Sequence, residues 1–249
     1  MTSGLTPGRA ADPVLLALPF TGRWLVQNSL ARRVPSHGTD LFGERYAIDF
    51  VGVDDHDRTA VRRDWGTMFG TEPPERFVGF GRTVLAPSAG TVRAVHDGEV
   101  DHEARRSQLA LLPYVLGQAA RVRAGLAAIA GNQVIIDLTG RAGFVALVHL
   151  RAGSIQVDVG EAVAVGQPVA QCGNSGNSTQ PHLHLQAMDS LDLAGTRGLP
   201  ISFTSYRERV GVARAFIART VGVPAEGGIV EPMRRGIWPA WPDDLYKNE

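Results

Sequence analysis

Pro181-His182-Leu183-His184-Leu185 places two histidines one residue apart inside an alternating apolar run. On a β-strand, residues two apart point to the same face, so the two imidazoles stand side by side with Cα atoms roughly 6–7 Å apart. Leu183 and Leu185 then face the other way, into a core. Such a strand presents paired ring nitrogens from a rigid base, which is what a metal site or a two-histidine proton-transfer site needs. The bland alternative is a set of core histidines, and it is weak because apolar strands rarely keep several imidazoles without partners.

Other segments belong with that strand. Phe144-Val145-Ala146-Leu147-Val148-His149-Leu150 is a second apolar run, in which His149 shares the parity of Val145 and Leu147. Tyr46-Ala47-Ile48-Asp49-Phe50-Val51 is a third, with one carboxylate among apolar neighbours. An aspartate in that setting is costly unless it is paired or bound to a cation. His37 lies upstream in Pro35-Ser36-His37-Gly38, a turn-like setting from which a side chain can reach over a sheet. Spacing alone leaves two roles open for the pair on the last strand. Both rings can converge on a single zinc at about 2.1 Å, or the two can divide metal binding from proton transfer.

Taken together, these segments resemble peptidase family M23, the lysostaphin and LytM type of zinc metallopeptidase that cuts peptide bonds in bacterial peptidoglycan. The resemblance runs over most of residues 35–190. It is carried by His37 with Arg45-Tyr46-Ala47-Ile48-Asp49-Phe50, Ala86-Pro87-Ser88-Ala89-Gly90-Thr91-Val92, Leu147-Val148-His149-Leu150, and the stretch from Gly173 to His184. It implies zinc as cofactor, with His37, Asp49 and His184 as ligands and His149 and His182 as catalytic histidines. Three protein ligands leave a coordination position for water, whose pKa zinc lowers towards about 7. The implied substrate is a peptide of peptidoglycan stems or cross-bridges.

One departure concerns the first two ligands. The commonest family pattern is His-x-x-x-Asp, whereas eleven residues separate His37 from Asp49 here. Asp40, three residues from His37, is the rival. Asp49 is preferred because its strand matches a variant of the family, while Asp40 sits in a Gly-Thr-Asp turn, where aspartate usually caps its own backbone.

The fold expected is mainly β: a compact antiparallel sheet or barrel-sandwich core, of the duplicated hybrid motif kind, with a helical insertion. A single domain over residues 1–249 accounts for the length, with insertions at 54–80 and 103–130. The first insertion is rich in charge, Gly and Pro, and reads as a surface excursion. The second carries Ala, Leu and Arg at helical spacing, divided at Pro113, and reads as a helical pair at the sheet edge or as a lid. Residues 131–138 and 144–150 read as a hairpin, residues 201–203 and 228–230 as strands closing the sheet, and 207–220 as ambiguous.

Composition fits an ordinary enzyme, with 44% hydrophobic residues. Equal acidic and basic counts give a formal charge of zero, which removes the basic footprint of a nucleic-acid binder. The single cysteine, Cys172, rules out an intrachain disulfide and reads as a buried thiol. Residues 14–20 form a short apolar run after an acidic residue, without a small-residue cleavage site, so no export segment is recognised. No run is long enough to cross a membrane. The sequence thus reads as cytoplasmic, whereas the resemblance implies the cell envelope or the exterior. His56, His96 and His102 take surface readings, although the cluster Asp54-Asp55-His56-Asp57 is of a kind that suits a hard cation. Two functions of other classes compete: a noncatalytic M23-like scaffold that binds wall or partner proteins, and a histidine phosphocarrier of related fold. The sequence does not fix the oligomeric state.

Overall fold

The computed structural model describes residues 12–60, 71–104, 129–192, 195–211 and 215–233. The chain is mainly β. Among the described residues, the first seven strands are β1 (Val14–Ala17), β2 (Trp24–Gln27), β3 (Ile48–Gly52), β4 (Thr83–Leu85), β5 (Gly90–His96), β6 (Asn132–Leu138) and β7 (Phe144–Leu150). The other seven are β8 (Ala162–Val163), β9 (Pro168–Gln171), β10 (Leu183–Met188), β11 (Gly198–Leu199), β12 (Ile201–Arg209), β13 (Ile217–Gly222) and β14 (Ile229–Pro232).

Twelve strands form one sheet in the order β1-β12-β14-β2-β3-β10-β7-β6-β5-β8, with β11 added to β10 and β13 to β12. Strands β4 and β9 pair separately. The β1–β12 pairing is parallel, and the other strand pairings among the described residues are antiparallel. Segments from both ends of the chain complete the sheet, since β1 and β2 lie beside β12 and β14. The apolar run at 14–20 is therefore a sheet strand and its exit turn, with Leu16, Leu18 and Phe20 buried.

Strand alternation decides which residues reach the site. Ile48 and Phe50 of β3, Val134 and Ile136 of β6, Val145 and Leu147 of β7, and Leu183 and Leu185 of β10 all enter one large core. Phe20, Trp24, Phe50 and Phe203 thicken it, with Phe20 stacked on Trp24 at 4.6 Å between centroids. Each such side chain contributes about 1.5–3 kcal/mol by leaving water, which makes the register of the central strands hard to shift. The intervening residues are forced to the other face. There Ile135, Ala146, Val148 and Met188 form a second, smaller apolar cluster, beside Asp49 and His184.

The expected hairpin is β6–β7, the expected closing strands are part of β12 and β14, and the stretch 207–220 is strand at 207–209 and 217–220. The helical pair or lid expected at 103–130 falls almost wholly on residues 105–128, outside the described residues. The excursion at 54–80 lies partly outside them too, at 61–70. Its described flanks are more than surface: Ala60 and Phe77 bury a small cluster with Ala104.

Candidate metal centre

Asp49 and His184 are direct partners across β3 and β10, flanked by the core pairs Phe50 with Leu183 and Ile48 with Leu185. The ladder thus places a carboxylate against an imidazole on the face away from the core. His184 Nδ1 lies 3.0 Å from one oxygen of Asp49, and His37 Nε2 lies 3.1 Å from the other. The ligand atoms of His37, Asp49 and His184 all fall within 4.8 Å of one another. His182, one residue before β10, brings Nε2 to 3.7 Å from the Asp49 oxygen that faces His184. The rings of His149 and His182 are 4.7 Å apart, and His149 lies 5.9 Å from His184.

Hydrogen bonds behind the rings settle which nitrogen of each faces inward. His184 Nε2 is 3.0 Å from the Gln186 side-chain oxygen, and the Gln186 amide nitrogen donates to the Phe42 carbonyl at 2.7 Å. That bond fixes the amide orientation, so His184 donates from Nε2 and turns Nδ1 to the centre. Ser36 Oγ donates to the Glu44 carbonyl at 3.3 Å and so accepts from His37 Nδ1 at 3.1 Å, leaving Nε2 inward. His149 Nδ1 donates to the Ser175 carbonyl at 2.9 Å, and His182 Nδ1 to the Gln180 carbonyl at 2.8 Å. Four imidazoles are thereby anchored from outside with one nitrogen each presented to a common cavity of about 380 Å³. Orienting bonds of this kind raise ligand basicity and fix ring geometry in metal sites.

Electrostatics follow from burial. Asp49 is buried, which by itself would raise its pKa, but His182, His184 and His37 outweigh that and hold it well below the usual carboxylate value. Asn28 adds a donor at 2.7 Å to the same carboxylate. Burial lowers His184, and the hydrogen bond and charge of Asp49 overcome it to push the ring up to about 9. His149 is held well below its ordinary value by burial and then by the neighbouring His182 and His184. His182 is lowered by burial, with Asp49 pulling in the other direction. Neutral His149 and His182 therefore each offer an Nε2 lone pair to the cavity at neutral pH.

The donor set fits a zinc ion. Two imidazole nitrogens and a carboxylate are a zinc-type set, and tetrahedral ligands at about 2.0–2.1 Å lie about 3.4 Å apart, close to the observed separations of Asp49 from His37 and His184. Among the described residues, the ion-pair partners of the buried Asp49 carboxylate are three imidazoles, with no Lys or Arg. Asp40 is elsewhere: its side chain is 60% exposed and pairs with Arg45 at 2.6 Å. It does not make the backbone cap expected of it, since no side-chain cap bond forms there.

Two other expectations change, and the surface reading of His56 stands. His149 does not follow the parity of Val145 and Leu147, which would bury it in the main core. It is the extra residue of a bulge between β6 and β7 and swings onto the cavity side with Ala146 and Val148. His102 is not a surface residue: it is half-buried, and its Nε2 donates to the Gly176 carbonyl at 2.8 Å. The Asp54 carboxylate accepts from the backbone of His56 and Arg58 and pairs with Arg58, so it closes a turn rather than gathering a cation site. Cys172 is buried in the main core as expected, and burial pushes its thiol pKa up.

Sequence reading missed Asn28, Gln186, Ser175 and Glu44, the last a cavity-lining acid in the segment Leu41–Tyr46. Gln186 was within reach, because it repeats the parity of His184 two residues on. Asn28 and Ser175 carry no periodic signal. Among the described residues, no helix is long and apolar enough to cross a membrane.

No curated protein matches the chain. Among solved structures, the catalytic domain of the antimicrobial peptidase lysostaphin from Staphylococcus simulans is 20% identical, over 53% of this chain and 86% of that one, with a TM-score of 0.32. A zinc-containing peptidase from Vibrio cholerae is 18% identical over 57% and 43%, with a TM-score of 0.30. The deep-sea M23 metalloprotease pseudoalterin is 12% identical over 86% and 96%, with a TM-score of 0.41. The model of peptidase family M23 matches residues 78–194, a span that holds His149, His182 and His184; Asp49 lies beside it through the β3–β10 ladder, and His37 through the contact of its ring with Asp49. Over that span, a little under half of the chain, the protein is similar to peptidase family M23.

Proposed function

We propose that the protein is a zinc-dependent metalloendopeptidase that hydrolyses peptide bonds in peptidoglycan stems or cross-bridges. His37, Asp49 and His184 are the metal ligands in this reading, and His149 and His182 are the catalytic histidines. The observation that carries it is the convergence of five side chains on one cavity, three of them with ligand atoms within 4.8 Å of one another.

A zinc ion held there supplies Lewis acidity and lowers the pKa of a water towards about 7. The protein's own residues do the rest. His149 and His182, neutral and with Nδ1 tied to backbone carbonyls, take a proton at Nε2 as the attacking water adds to the scissile carbonyl. Either ring, once protonated, donates from Nε2 to the developing oxyanion or to the leaving amine. Asp49 stays ionised throughout, because its neighbours hold it well below the usual range. Ile135, Ala146 and Val148 line one wall of the cavity and exclude water from one side of the peptide.

The division between His184 as ligand and His182 as catalyst is supported by the geometry: His184 Nδ1 is 3.0 Å from Asp49 and His182 Nε2 is 3.7 Å away. A phosphocarrier has no need of a buried aspartate shared by three imidazoles. A noncatalytic scaffold has no need of two further histidines held neutral and aimed inward.

The test is to incubate zinc-loaded protein with purified peptidoglycan and to identify new amino termini by mass spectrometry. New termini within stems or cross-bridges, abolished by chelation and restored by zinc, are expected. An intact polymer after prolonged incubation with zinc-replete protein favours the scaffold.

A further inference from the structure

The ladder between β6 and β7 breaks at the site. Asn132 lies opposite Leu150 and Gln133 opposite Val148, which leaves His149 as an extra residue on β7. Its φ is 62°, the left-handed region that glycine ordinarily fills in this kind of bulge. A histidine kept there against its backbone preference needs surroundings that over-determine it.

Ser175 supplies them. Its hydroxyl accepts from the Asn132 amide at 3.0 Å and donates to the Leu150 carbonyl at 2.8 Å, so it spans the pair next to which the ladder breaks. Its own carbonyl accepts from His149 Nδ1 at 2.9 Å. One fully buried residue thus closes the bulge with its side chain and aims the ring with its backbone. The surrounding loop has no slack. A Cβ at Gly131 would lie 2.5 Å from Ser175 Oγ, and a Cβ at Gly176 would lie 2.4 Å from the Gly131 nitrogen. Asp101 accepts from the Asn174 amide at 2.6 Å and pins the loop one residue earlier.

We propose that Ser175 is a positioning residue for His149: it holds the bulge and the Nδ1–H tautomer, so that Nε2 faces the reacting peptide. This rests on the reading of His149 as a proton-transfer group. A serine that only packed would change stability without changing which ring nitrogen carries the proton.

The experiment uses the zinc-loaded protein with 15N-labelled histidine, the ring signals of His149 being identified by their loss in His149→Ala. Long-range proton–nitrogen spectra at neutral pH are expected to give a single Nδ1–H tautomer; a dominant Nε2–H tautomer overturns the proposal. Ser175→Ala is expected to keep its zinc, to lose that single tautomer, and to lower kcat on peptidoglycan peptides about tenfold or more with KM within about threefold. Ser175→Thr, which keeps the hydroxyl, is expected to restore the tautomer. A folded Ser175→Ala protein with an unchanged tautomer overturns the proposal. Should that variant fail to fold, the wild-type protein decides, through a trans-hydrogen-bond coupling between His149 Nδ1–H and the 13C-labelled Ser175 carbonyl: its presence supports the clamp and its absence overturns it. Full turnover in His149→Ala, whatever the tautomer, counts instead against the proton-transfer role of His149.

Discussion

Asp49 and His184 sit opposite each other in the β3–β10 ladder, with a carboxylate oxygen 3.0 Å from Nδ1. Because their neighbours Phe50, Ile48, Leu183 and Leu185 fill the main core, neither strand can slip by one residue without turning those side chains out of it. Core packing therefore fixes the relative position of two of the three proposed ligands.

His37→Ala, Asp49→Ala and His184→Ala are each expected to lower zinc occupancy sharply from about one ion per chain, as loss of one of three protein ligands should. Asp40→Ala is expected to leave it unchanged, since that side chain is engaged with Arg45 at the surface. Elemental analysis after dialysis reads this directly. An emptied site in Asp40→Ala with a filled one in Asp49→Ala would reverse the ligand choice.

His149→Ala and His182→Ala are expected to keep most of the zinc and to lose on the order of a hundredfold or more in turnover. Parallel measurement of metal content and kcat separates the two effects. If His182→Ala empties the site as fully as His184→Ala, both members of the pair are ligands and His149 alone moves protons.

Much of this was legible in the sequence, for a physical reason: strand alternation is periodic. The pattern His182-Leu183-His184-Leu185 carries both the core face and the site face, and β6, β7 and β10 lie where their apolar runs place them. His149 was legible as a candidate site residue but not in its orientation, because a bulge is a single unpaired residue that leaves no periodic trace, and here the residue is not glycine. Asn28 and Ser175 act through loops whose path depends on tertiary contacts. Asp40, the rival to Asp49, has Arg45 as its partner and not its own backbone.

Gln186→Leu removes the acceptor for His184 Nε2–H and the donor to the Phe42 carbonyl. Zinc affinity is expected to fall about 10–100-fold, the usual cost of losing a group that orients a ligand. Competition with a chromophoric chelator measures it. An unchanged affinity would mean that the ladder alone orients His184.

Zinc binding should depend on pH with a definite sign. In the metal-free protein, Asp49 keeps a proton on His184 up to about pH 9, and zinc must displace it from Nδ1. Affinity is therefore expected to rise with pH, by up to about tenfold per unit below that value, with about one proton released per ion at neutral pH. Calorimetry in buffers of different ionisation enthalpy counts the protons. For the metal-free fold, the sign reverses. A ring raised from about 6.5 contributes stability that is fully present below that pH and is lost as pH rises through about 9. Melting temperatures of chelated protein between pH 6 and 9.5 should decline, and a flat profile would count against the Asp49–His184 proton.

Anomalous diffraction at the zinc edge, from crystals of zinc-loaded protein, bears most directly on the centre itself. One peak is expected within about 2.3 Å of His37 Nε2, an Asp49 oxygen and His184 Nδ1, with the nearest nitrogens of His149 and His182 beyond bonding distance. A peak bound by His182 in place of His184, a peak at Asp40, or no ordered ion at full zinc loading would contradict the assignment.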